Sequence, residues 1–311
     1  MPAVDHPPEI SDLIVDFDPD TGARRRVRKA DVEAQFGGFR QRRALRVVRG
    51  IPADSEGFLV ESAVDELLVR VHAEIQRLSE EFMQARRVHD ALAPLLDGLR
   101  ASSVTPPYRV VDVGCGTGYL IRWLAAQGDL GSDVELIGAD YNTALVDHAR
   151  RLAAVEGLRC SFEVCNAFRL DEPATIYTSI GVIHHFRGDA LTQFFAHQAA
   201  AGARAFLHFD IRASVVAPIG AWLFHIARMR EPLAHHDGVL SAIRSHPTQT
   251  LLTAARAGAP GLEVGLFDED RLPLPILKVM HAVVGVDPLL VGAWRAALGG
   301  ESSRLELGVS R

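Results

Sequence analysis

Apolar residues recur along this chain with two different spacings. Between Phe58 and about Arg100 they come every three or four positions, in two successive sets. That spacing places side chains on one face of an α-helix. The first set is Val60, Val64, Leu67, Leu68, Val71, Ile75, Leu78 and Phe82, and the second is Val88, Leu92, Leu95, Leu96 and Leu99. The pattern predicts two helices within the segment 58–105.

From Arg109 onward, short apolar runs rich in β-branched residues alternate with amphipathic stretches. Regular alternation of this kind predicts a doubly wound α/β domain with a mostly parallel sheet. The runs that we interpret as strands are 110–113, 136–140, 160–168, 174–181, 205–210, 262–267 and 277–284. Too little chain separates the last two for a crossover helix, so we expect them to form an antiparallel pair.

The most informative stretch is 110–120, where a strand-like run reaches Asp112 and three glycines follow on alternate positions, Gly114, Gly116 and Gly118. An amphipathic sequence begins directly after them, so the stretch predicts a strand, a tight loop and a helix. Glycine lets the backbone approach a ligand closely, and the amino end of a helix favours negatively charged groups. The sequence therefore predicts a nucleotide-like ligand that lies against the main chain.

The spacing of the glycines narrows the choice of ligand. The dinucleotide fingerprint G-x-G-x-x-G would require its third glycine at position 119, where this chain has Tyr119. A phosphate-binding loop would require Lys followed by Ser or Thr after the glycines, and neither pair is present there. Both observations count against NAD, FAD and nucleoside triphosphates.

The pattern D-x-G-x-G-x-G from Asp112 to Gly118 resembles motif I of the class I S-adenosylmethionine-dependent methyltransferases. In that family the loop lies beside the methionine part of the cofactor. The stretch 136–142 is similar to the next strand, whose final acid, here Asp140, accepts both ribose hydroxyls. The stretch 160–168 is similar to the strand at the adenine edge, where the family usually has Asp and this chain has Asn166. An amide oxygen can still accept a hydrogen bond from the exocyclic amine of adenine.

The resemblance covers roughly residues 108 to 285 and implies S-adenosylmethionine as the cofactor. It also implies a set of cofactor-binding residues in the glycine loop and after the next two strands. They are Asp112, Gly114, Cys115, Gly116, Gly118, Asp140, Tyr141, Asn166 and Ala167.

The fold that this resemblance implies is α/β, with a doubly wound, seven-stranded, mostly parallel sheet and an antiparallel last strand inserted beside strand five. A helical extension precedes it. The expected domains are a basic extension with a possible hairpin at 1–57, a helical cap at 58–105, a Rossmann-like cofactor-binding domain at 106–285 with an insertion at 213–245, and a C-terminal tail at 286–311. Helices placed like the cap commonly cover the substrate entrance in the family, and plain packing against the sheet is an equal alternative.

Candidate catalytic residues follow the fourth and fifth predicted strands, since ligands of open α/β sheets bind beyond the carboxyl ends of the strands. His184 and His185 lie in a loop that resembles the family's loop beside the transferred methyl group, and Asp210 ends the next strand. Either histidine is a candidate general base for a hydroxyl or amine acceptor, because imidazole titrates near neutrality. Asp210 would orient such a histidine or bind the acceptor. Capping and packing roles are the alternatives for all three residues.

The insertion carries further polar residues and an apolar stretch. His235, His236 and Asp237 lack the spacing of metal ligands, so we predict no metal site. A role for Asp237 or Arg244 in closing over an acceptor is the more favoured interpretation. Residues 218–229 are apolar enough to form a wall of an acceptor pocket or the contact of a homodimer. His208, inside a predicted buried strand, is expected to be a hydrogen-bonded core residue.

Charge is distributed unevenly, although the chain as a whole has a net charge of −6. Between residues 23 and 50 basic residues outnumber acidic ones; they are Arg24, Arg25, Arg26, Arg28, Lys29, Arg40, Arg42, Arg43, Arg46 and Arg49. Such a segment could bind RNA or an anionic partner, although a solvated face is the more favoured interpretation, so nucleic acid is disfavoured as a partner without being excluded.

The three cysteines, Cys115, Cys160 and Cys165, lack metal-ligand spacing and are expected to be reduced, buried thiols. No apolar run is long enough to cross a membrane, and no signal sequence is evident at the start, so we expect a cytoplasmic protein.

The expected function is methyl transfer from S-adenosylmethionine to an oxygen, nitrogen or carbon atom of a small molecule, possibly a natural product. Three alternatives stay open at the level of sequence. The protein could cleave or cyclise the cofactor, it could be an RNA-modifying methyltransferase, or it could bind the cofactor without catalysis.

Overall fold

The computed structural model describes residues 7–18, 21–39, 41–170, 173–268 and 280–308. Its internal contacts divide the chain into two compact units. The first comprises Met1–Leu78 and Ala213–Arg244, and the second comprises Ser79–Arg212 and Ser245–Arg311. Within the described residues, no helix combines the length and the apolar character needed to cross a bilayer.

The helices and strands follow one another in a regular order after residue 100. In chain order they are α1 (Ile10–Ile14), β1 (Asp16–Phe17), β2 (Arg24–Arg25), α2 (Lys29–Gly38), α3 (Arg42–Gly50), α4 (Glu61–Glu81), α5 (Gln84–Arg100), β3 (Tyr108–Val113), α6 (Tyr119–Gln127), β4 (Val134–Asp140), α7 (Thr143–Glu156), β5 (Ser161–Val164), β6 (Ile176–Ile180), α8 (Asp189–Ala200), β7 (Ala205–Ile211), α9 (Ala217–Arg228), α10 (Pro232–Arg244), α11 (Thr248–Gly258), β8 (Glu263–Phe267), β9 (Met280–Val286), α12 (Pro288–Leu298) and β10 (Leu305–Leu307). Short 3-10 helices occur at Ile183–His185 and Gly299–Arg304.

The second unit contains an eight-stranded sheet in the order β10-β8-β9-β7-β6-β3-β4-β5. The five strands β7, β6, β3, β4 and β5, in that order across the sheet, pair in parallel. Strand β9 is antiparallel to both β7 and β8. The α/β fold class is confirmed, including the antiparallel strand inserted beside the fifth parallel strand. Residues 277–279 of the predicted last strand lie outside the described residues.

The C-terminal segment 286–311 differs from the expected tail. It contains α12 and the strand β10, which pairs antiparallel with β8 and extends the sheet from seven strands to eight. The short strand Leu305–Leu307 escaped prediction because three residues are too few to show a period.

Two apolar clusters cover the opposite faces of this sheet, as a doubly wound fold requires. One joins the sheet to α5, α6, α7 and α12, and the other joins it to α8 and α11. The sheet is thereby buried on both sides, which leaves the carboxyl ends of the parallel strands as the edge at which a ligand can meet it.

Both predicted helices of the segment 58–105 are present as α4 and α5, but they do not form one cap. The division between the units falls after Leu78, within α4, and α5 belongs to the second unit. There its apolar stripe is core: Trp294 of α12 donates from Nε1 to the carbonyl of Ala91 at 3.2 Å. Gly98 allows this contact, since an added Cβ would lie 3.1 Å from the backbone nitrogen of Trp294. For α5, plain packing was the correct alternative.

The first unit is held together by carboxylates that cap backbone groups of distant segments. Asp237 accepts hydrogen bonds from the backbone N–H groups of Ile10 (2.8 Å) and Ser11 (2.9 Å) at the start of α1. Glu74 of α4 accepts from the backbone N–H groups of Arg230 and Glu231, which precede α10. The insertion 213–245 and the N-terminal extension are therefore parts of one folded unit.

The basic segment is folded and partly neutralised by acids of the same unit. Arg24 pairs with Asp65 at 2.7 Å, and Arg26 pairs with Glu56 at 2.8 Å. The predicted hairpin consists only of the two-residue strands β1 and β2, because the residues just before β1 form the helix α1. These ion pairs reduce the positive charge that the segment can offer to a partner.

Candidate functional site

The loop between β3 and α6 is built by three glycines in the left-handed region, with φ of 72° at Gly114, 54° at Gly116 and 75° at Gly118. A side chain at the outer two would collide with the protein itself. An added Cβ would lie 2.7 Å from Val182 at Gly114, and 2.3 Å from the ring of Phe162 at Gly118. These two glycines therefore bring the loop against the sheet.

Asp140, the last residue of β4, joins the loop to the next strand. Its Oδ2 accepts a hydrogen bond from the backbone N–H of Gly116 at 2.9 Å, and its Oδ1 accepts from the backbone N–H of Asn142 at 2.9 Å. Asn142 in turn caps α7, since its side chain accepts from the N–H of Ala144 at 3.0 Å. The carboxylate predicted to hold the ribose is thus fixed in position by backbone donors on both sides.

Asp112 on the neighbouring strand β3 is buried, and its Oδ1 has no hydrogen-bond partner among the described residues. Burial, and then the charge of Asp140, raise the pKa of this carboxyl well above its usual range. A positively charged group placed beside both carboxyls would relieve this cost. S-adenosylmethionine carries an ammonium and a sulfonium group, so this pair of acids fits the cofactor that the resemblance implies.

The other predicted cofactor residues lie around the same edge. Cys115 is buried in the loop, where burial and the nearby Asp140 and Asp112 raise the pKa of its thiol, as for an unreactive cysteine. Tyr141 is exposed directly after Asp140. Asn166 follows β5, and its Oδ1 accepts from the N–H of Phe168 at 2.9 Å. The partly buried Ala167 lies within that turn.

All three cysteines have free thiols, and Cys115 is buried as expected. The expectation of burial is wrong for Cys160 and Cys165, which are partly exposed.

The structure brings the three predicted catalytic residues together, with His184 bonded to Asp210 and His185 beside His184. The Nδ1 of His184 lies 2.8 Å from Asp210 Oδ1, and the backbone N–H of His184 donates to Asp210 Oδ2 at 2.9 Å. Because a carboxylate only accepts, Nδ1 is the ring nitrogen that carries a proton towards Asp210. Burial raises the pKa of Asp210, but the charge of His184 and the hydrogen bonds from His184 and Ile211 outweigh it and lower that pKa.

His185 shares the 3-10 turn with His184. It is partly exposed, and the two ring centroids lie 4.4 Å apart. The turn follows Gly181, whose φ of 67° reverses the chain after β6.

One residue of this site was missed by sequence reasoning. The Nε2 of His246, just before α11, lies 2.9 Å from the carbonyl oxygen of Phe186 and 3.2 Å from that of Ile183. It thereby bridges the two ends of the turn that contains His184 and His185. Burial, and then Arg187, lower the pKa of His246, so the ring is neutral and Nε2–H is the donor. Nothing local in the sequence marks this residue, because its partners lie 60 positions away.

His208 is a core residue, as expected. Its two ring nitrogens lie 2.8 Å from Ser179 Oγ and 2.8 Å from Gln198 Oε1, and burial lowers its pKa to about 3.

The expectation that Asp237 or Arg244 closes over an acceptor is wrong. Asp237 caps α1, and Arg244 pairs at 2.7 Å with Asp12, which lies in α1. Both side chains are engaged inside the first unit.

Residues 110–201 match the model of a methyltransferase domain. Among solved structures, the plantazolicin methyltransferase BamL is 13% identical with a TM-score of 0.50, and the match covers 73% of this chain and 99% of that chain. BpumL, also a plantazolicin methyltransferase, is 12% identical with a TM-score of 0.48, over 72% of this chain and 95% of that one. Magnesium protoporphyrin IX methyltransferase from Synechocystis PCC 6803 is 14% identical with a TM-score of 0.43, and the match covers 83% of this chain and 99% of that chain.

No curated protein matches the chain. The matched domain spans the glycine loop, Asp140 and the His184 turn. Over these residues the match confirms the resemblance to a methyltransferase that was recognised in the glycine loop.

Proposed function

We propose that this enzyme transfers the methyl group of S-adenosylmethionine to an oxygen, nitrogen or carbon atom of a small-molecule acceptor. The observation that carries the proposal is the pairing of two buried carboxyls, Asp112 and Asp140, beside the bare backbone of Gly116. Ionising both carboxyls is costly in a buried site where Asp112 Oδ1 has no hydrogen-bond partner among the described residues, and a cationic cofactor would lower that cost.

In this proposal, Asp140 accepts the ribose hydroxyls, and its backbone hydrogen bonds keep the carboxylate oriented before the cofactor arrives. Asp112 faces the cationic part of the cofactor, and Gly116 leaves room for the adenosyl group. Tyr141, Asn166 and Ala167 lie at the adenine end. The bound cofactor supplies a methyl group on a positively charged sulfur, which is already activated for displacement.

For a hydroxyl or amine acceptor, we assign the role of general base to His184. Asp210 fixes the Nδ1–H tautomer, so Nε2 is the nitrogen that can take the acceptor's proton, and the ionised Asp210 stabilises the imidazolium that forms. His185 lies beside it and would contact the acceptor. A carbon acid of low pKa would need only positioning, because most of the acceleration then comes from alignment of the acceptor with the methyl group.

Calorimetric titration with S-adenosylhomocysteine tests cofactor binding without any knowledge of the acceptor. Gly116→Val should abolish binding by filling the adenosyl space. Gly128→Val, at another left-handed glycine with no neighbour within 4 Å of its added Cβ, is the matched control. Equal affinity in the wild type and Gly116→Val would contradict the assignment of this loop.

Turnover distinguishes methyl transfer from the alternatives. Incubation with S-adenosylmethionine and candidate small molecules should yield S-adenosylhomocysteine and a methylated product. Release of methylthioadenosine would instead indicate cleavage of the cofactor, and binding without any product would indicate a non-catalytic protein.

A further inference from the structure

A cavity of about 350 Å³ lies in the second unit, and its polar lining residues include Arg212, Thr248, Asp268 and His281. Arg212 directly follows β7, Asp268 directly follows β8, and Thr248 begins α11. The cavity therefore lies at the same sheet edge as the His184–Asp210 pair, on the face that α11 covers.

His281 links the cavity to that pair. It lies directly opposite Asp210 in the ladder between β7 and β9, so both side chains project from the same face of the sheet. Only 3% of His281 is exposed, and its Nε2 has no hydrogen-bond partner within the part of the chain that the structure describes. Burial lowers the pKa of His281 to about 4, so the ring offers hydrogen bonding rather than charge.

The amino end of α11 faces the same space through Thr248 and Gln249. Its N-cap is Pro247, and no side chain caps the helix. The first turn of a helix carries partial positive charge and N–H groups that point outward from its start. The hydroxyl of Thr248 and this helix terminus thus offer hydrogen-bond donors at the cavity, whereas Nε2 of Gln249 donates to Thr253 Oγ1 at 3.4 Å.

Arg212 adds a full positive charge to these donors. Its Nη1 lies 3.6 Å from Asp268 Oδ1, beyond ordinary hydrogen-bond distance, and the side chain is 38% exposed. Asp268 therefore keeps the guanidinium of Arg212 near the cavity, and N–H groups of that guanidinium stay available to a ligand. Glu306, the second acid of the lining, is exposed on the edge strand β10, where solvent screens its charge.

We propose that this cavity binds a carboxylate group of the methyl acceptor, with Arg212 and the start of α11 as its anchors. The acceptor then extends from the His184–Asp210 pair towards β8. The two leucines of the lining, Leu252 and Leu266, contact the apolar part that carries the carboxylate. This inference rests on the proposed function only for the statement that the ligand is the methyl acceptor.

The test uses two fluorinated probes of nearly equal shape, 4-fluorobenzoate and 4-fluorobenzamide, titrated into the full chain without cofactor and followed by ¹⁹F NMR. The benzoate should bind at least about tenfold more tightly than the benzamide, as expected for a charge-assisted hydrogen bond. Arg212→Gln should remove this preference, and Arg212→Lys should retain part of it.

Arg204→Gln is the matched control, because Arg204 directly precedes β7 and pairs with an aspartate, Asp287, at 2.7 Å. It should leave the preference unchanged. Should Arg212→Gln fail to fold, Thr248→Val decides, with an expected loss of severalfold in benzoate affinity. The proposal would be overturned if the two probes bound with equal affinity or if the benzoate did not bind. It would also be overturned if Arg204→Gln lost as much of the preference for the benzoate as Arg212→Gln.

The outcome is separable from the proposed function. Retained binding of S-adenosylhomocysteine with no preference for the benzoate would overturn the carboxylate site alone. Loss of cofactor binding with an intact preference for the benzoate would overturn the proposed function alone.

Discussion

His184 contacts the carboxylate of Asp210 at two points, through its ring Nδ1 at 2.8 Å and through its backbone N–H at 2.9 Å. One contact sets the tautomer of the ring and the other holds the 3-10 turn against the end of β7. Asp210 therefore orients both the base candidate and its backbone.

Asp210→Asn should disturb this arrangement, because an amide can accept one of the two bonds but presents an NH₂ group to the other donor. We expect the Nδ1–H tautomer of His184 to lose population, measured by ¹⁵N chemical shifts of the ring. With an identified hydroxyl or amine acceptor, kcat should fall by about 10²-fold or more, within the range for loss of general base catalysis.

Asp147→Asn provides the control for that experiment, since Asp147 pairs with Arg150 on an exposed face of α7. It should change neither the tautomer nor kcat. Normal turnover in Asp210→Asn would remove His184 as the base.

Asp140→Ala should weaken binding of S-adenosylhomocysteine by about 1–3 kcal/mol, or roughly fivefold to 150-fold, because it removes a charged acceptor from the ribose hydroxyls. It also frees the backbone N–H groups of Gly116 and Asn142, so a melting curve must accompany the calorimetry. An affinity equal to that of the wild type would show that the ribose is held elsewhere.

Gly118→Ala should destabilise the fold through steric overlap as well as backbone strain. The added Cβ would lie 2.3 Å from Phe162 at a φ of 75°, whereas Gly128 at the other end of α6 has a φ of 68° and open space. We expect Gly128→Ala to cost about 1 kcal/mol of unfolding free energy and Gly118→Ala to cost about 1–3 kcal/mol more. Urea denaturation measures the difference, and equal losses would contradict the packing role of Gly118.

Acid should destabilise the second unit through its buried histidines. The folded-state pKa values of His208 and His281 are lowered from 6.5 to about 3 and about 4, so below pH 6.5 the unfolded chain binds protons that the folded chain excludes. Stability is then fully present above pH 6.5 and falls as the pH drops towards these folded values. Well inside that window each histidine contributes a slope of about 1.4 kcal/mol per pH unit.

Denaturation at several pH values between 7 and 5 measures that slope. His208→Gln should reduce the uptake of protons on unfolding at pH 5 by about one. An unchanged proton uptake in this variant would mean that other groups carry the acid sensitivity.

Asp237→Ala should loosen the start of the chain, because it removes the hydrogen bonds to Ile10 and Ser11 at the start of α1. We expect faster proteolytic cleavage within residues 7–18 and a loss of about 1–2 kcal/mol in the stability of the first unit. Asp31→Ala, at an exposed position in the first turn of α2, is the control and should change cleavage little.

Local periodicity and glycine spacing were sufficient to predict the α/β fold, the glycine loop and the strand ends that carry Asp140 and Asp210. These features depend on residues close in sequence, and a resemblance could be recognised in them. The role of His246 could not be predicted, because its carbonyl partners come from a loop 60 residues earlier. The position of His281 opposite Asp210 likewise depends on the register between β7 and β9, and no local pattern records that register.

The first unit is assembled from two lengths of chain that are synthesised far apart. During translation, residues 79–212 must leave the ribosome before the insertion can complete the structure that the N-terminal residues begin. Expression of either length by itself would expose the backbone groups that Asp237 and Glu74 cap, so shortened versions of this enzyme should retain both lengths or omit both.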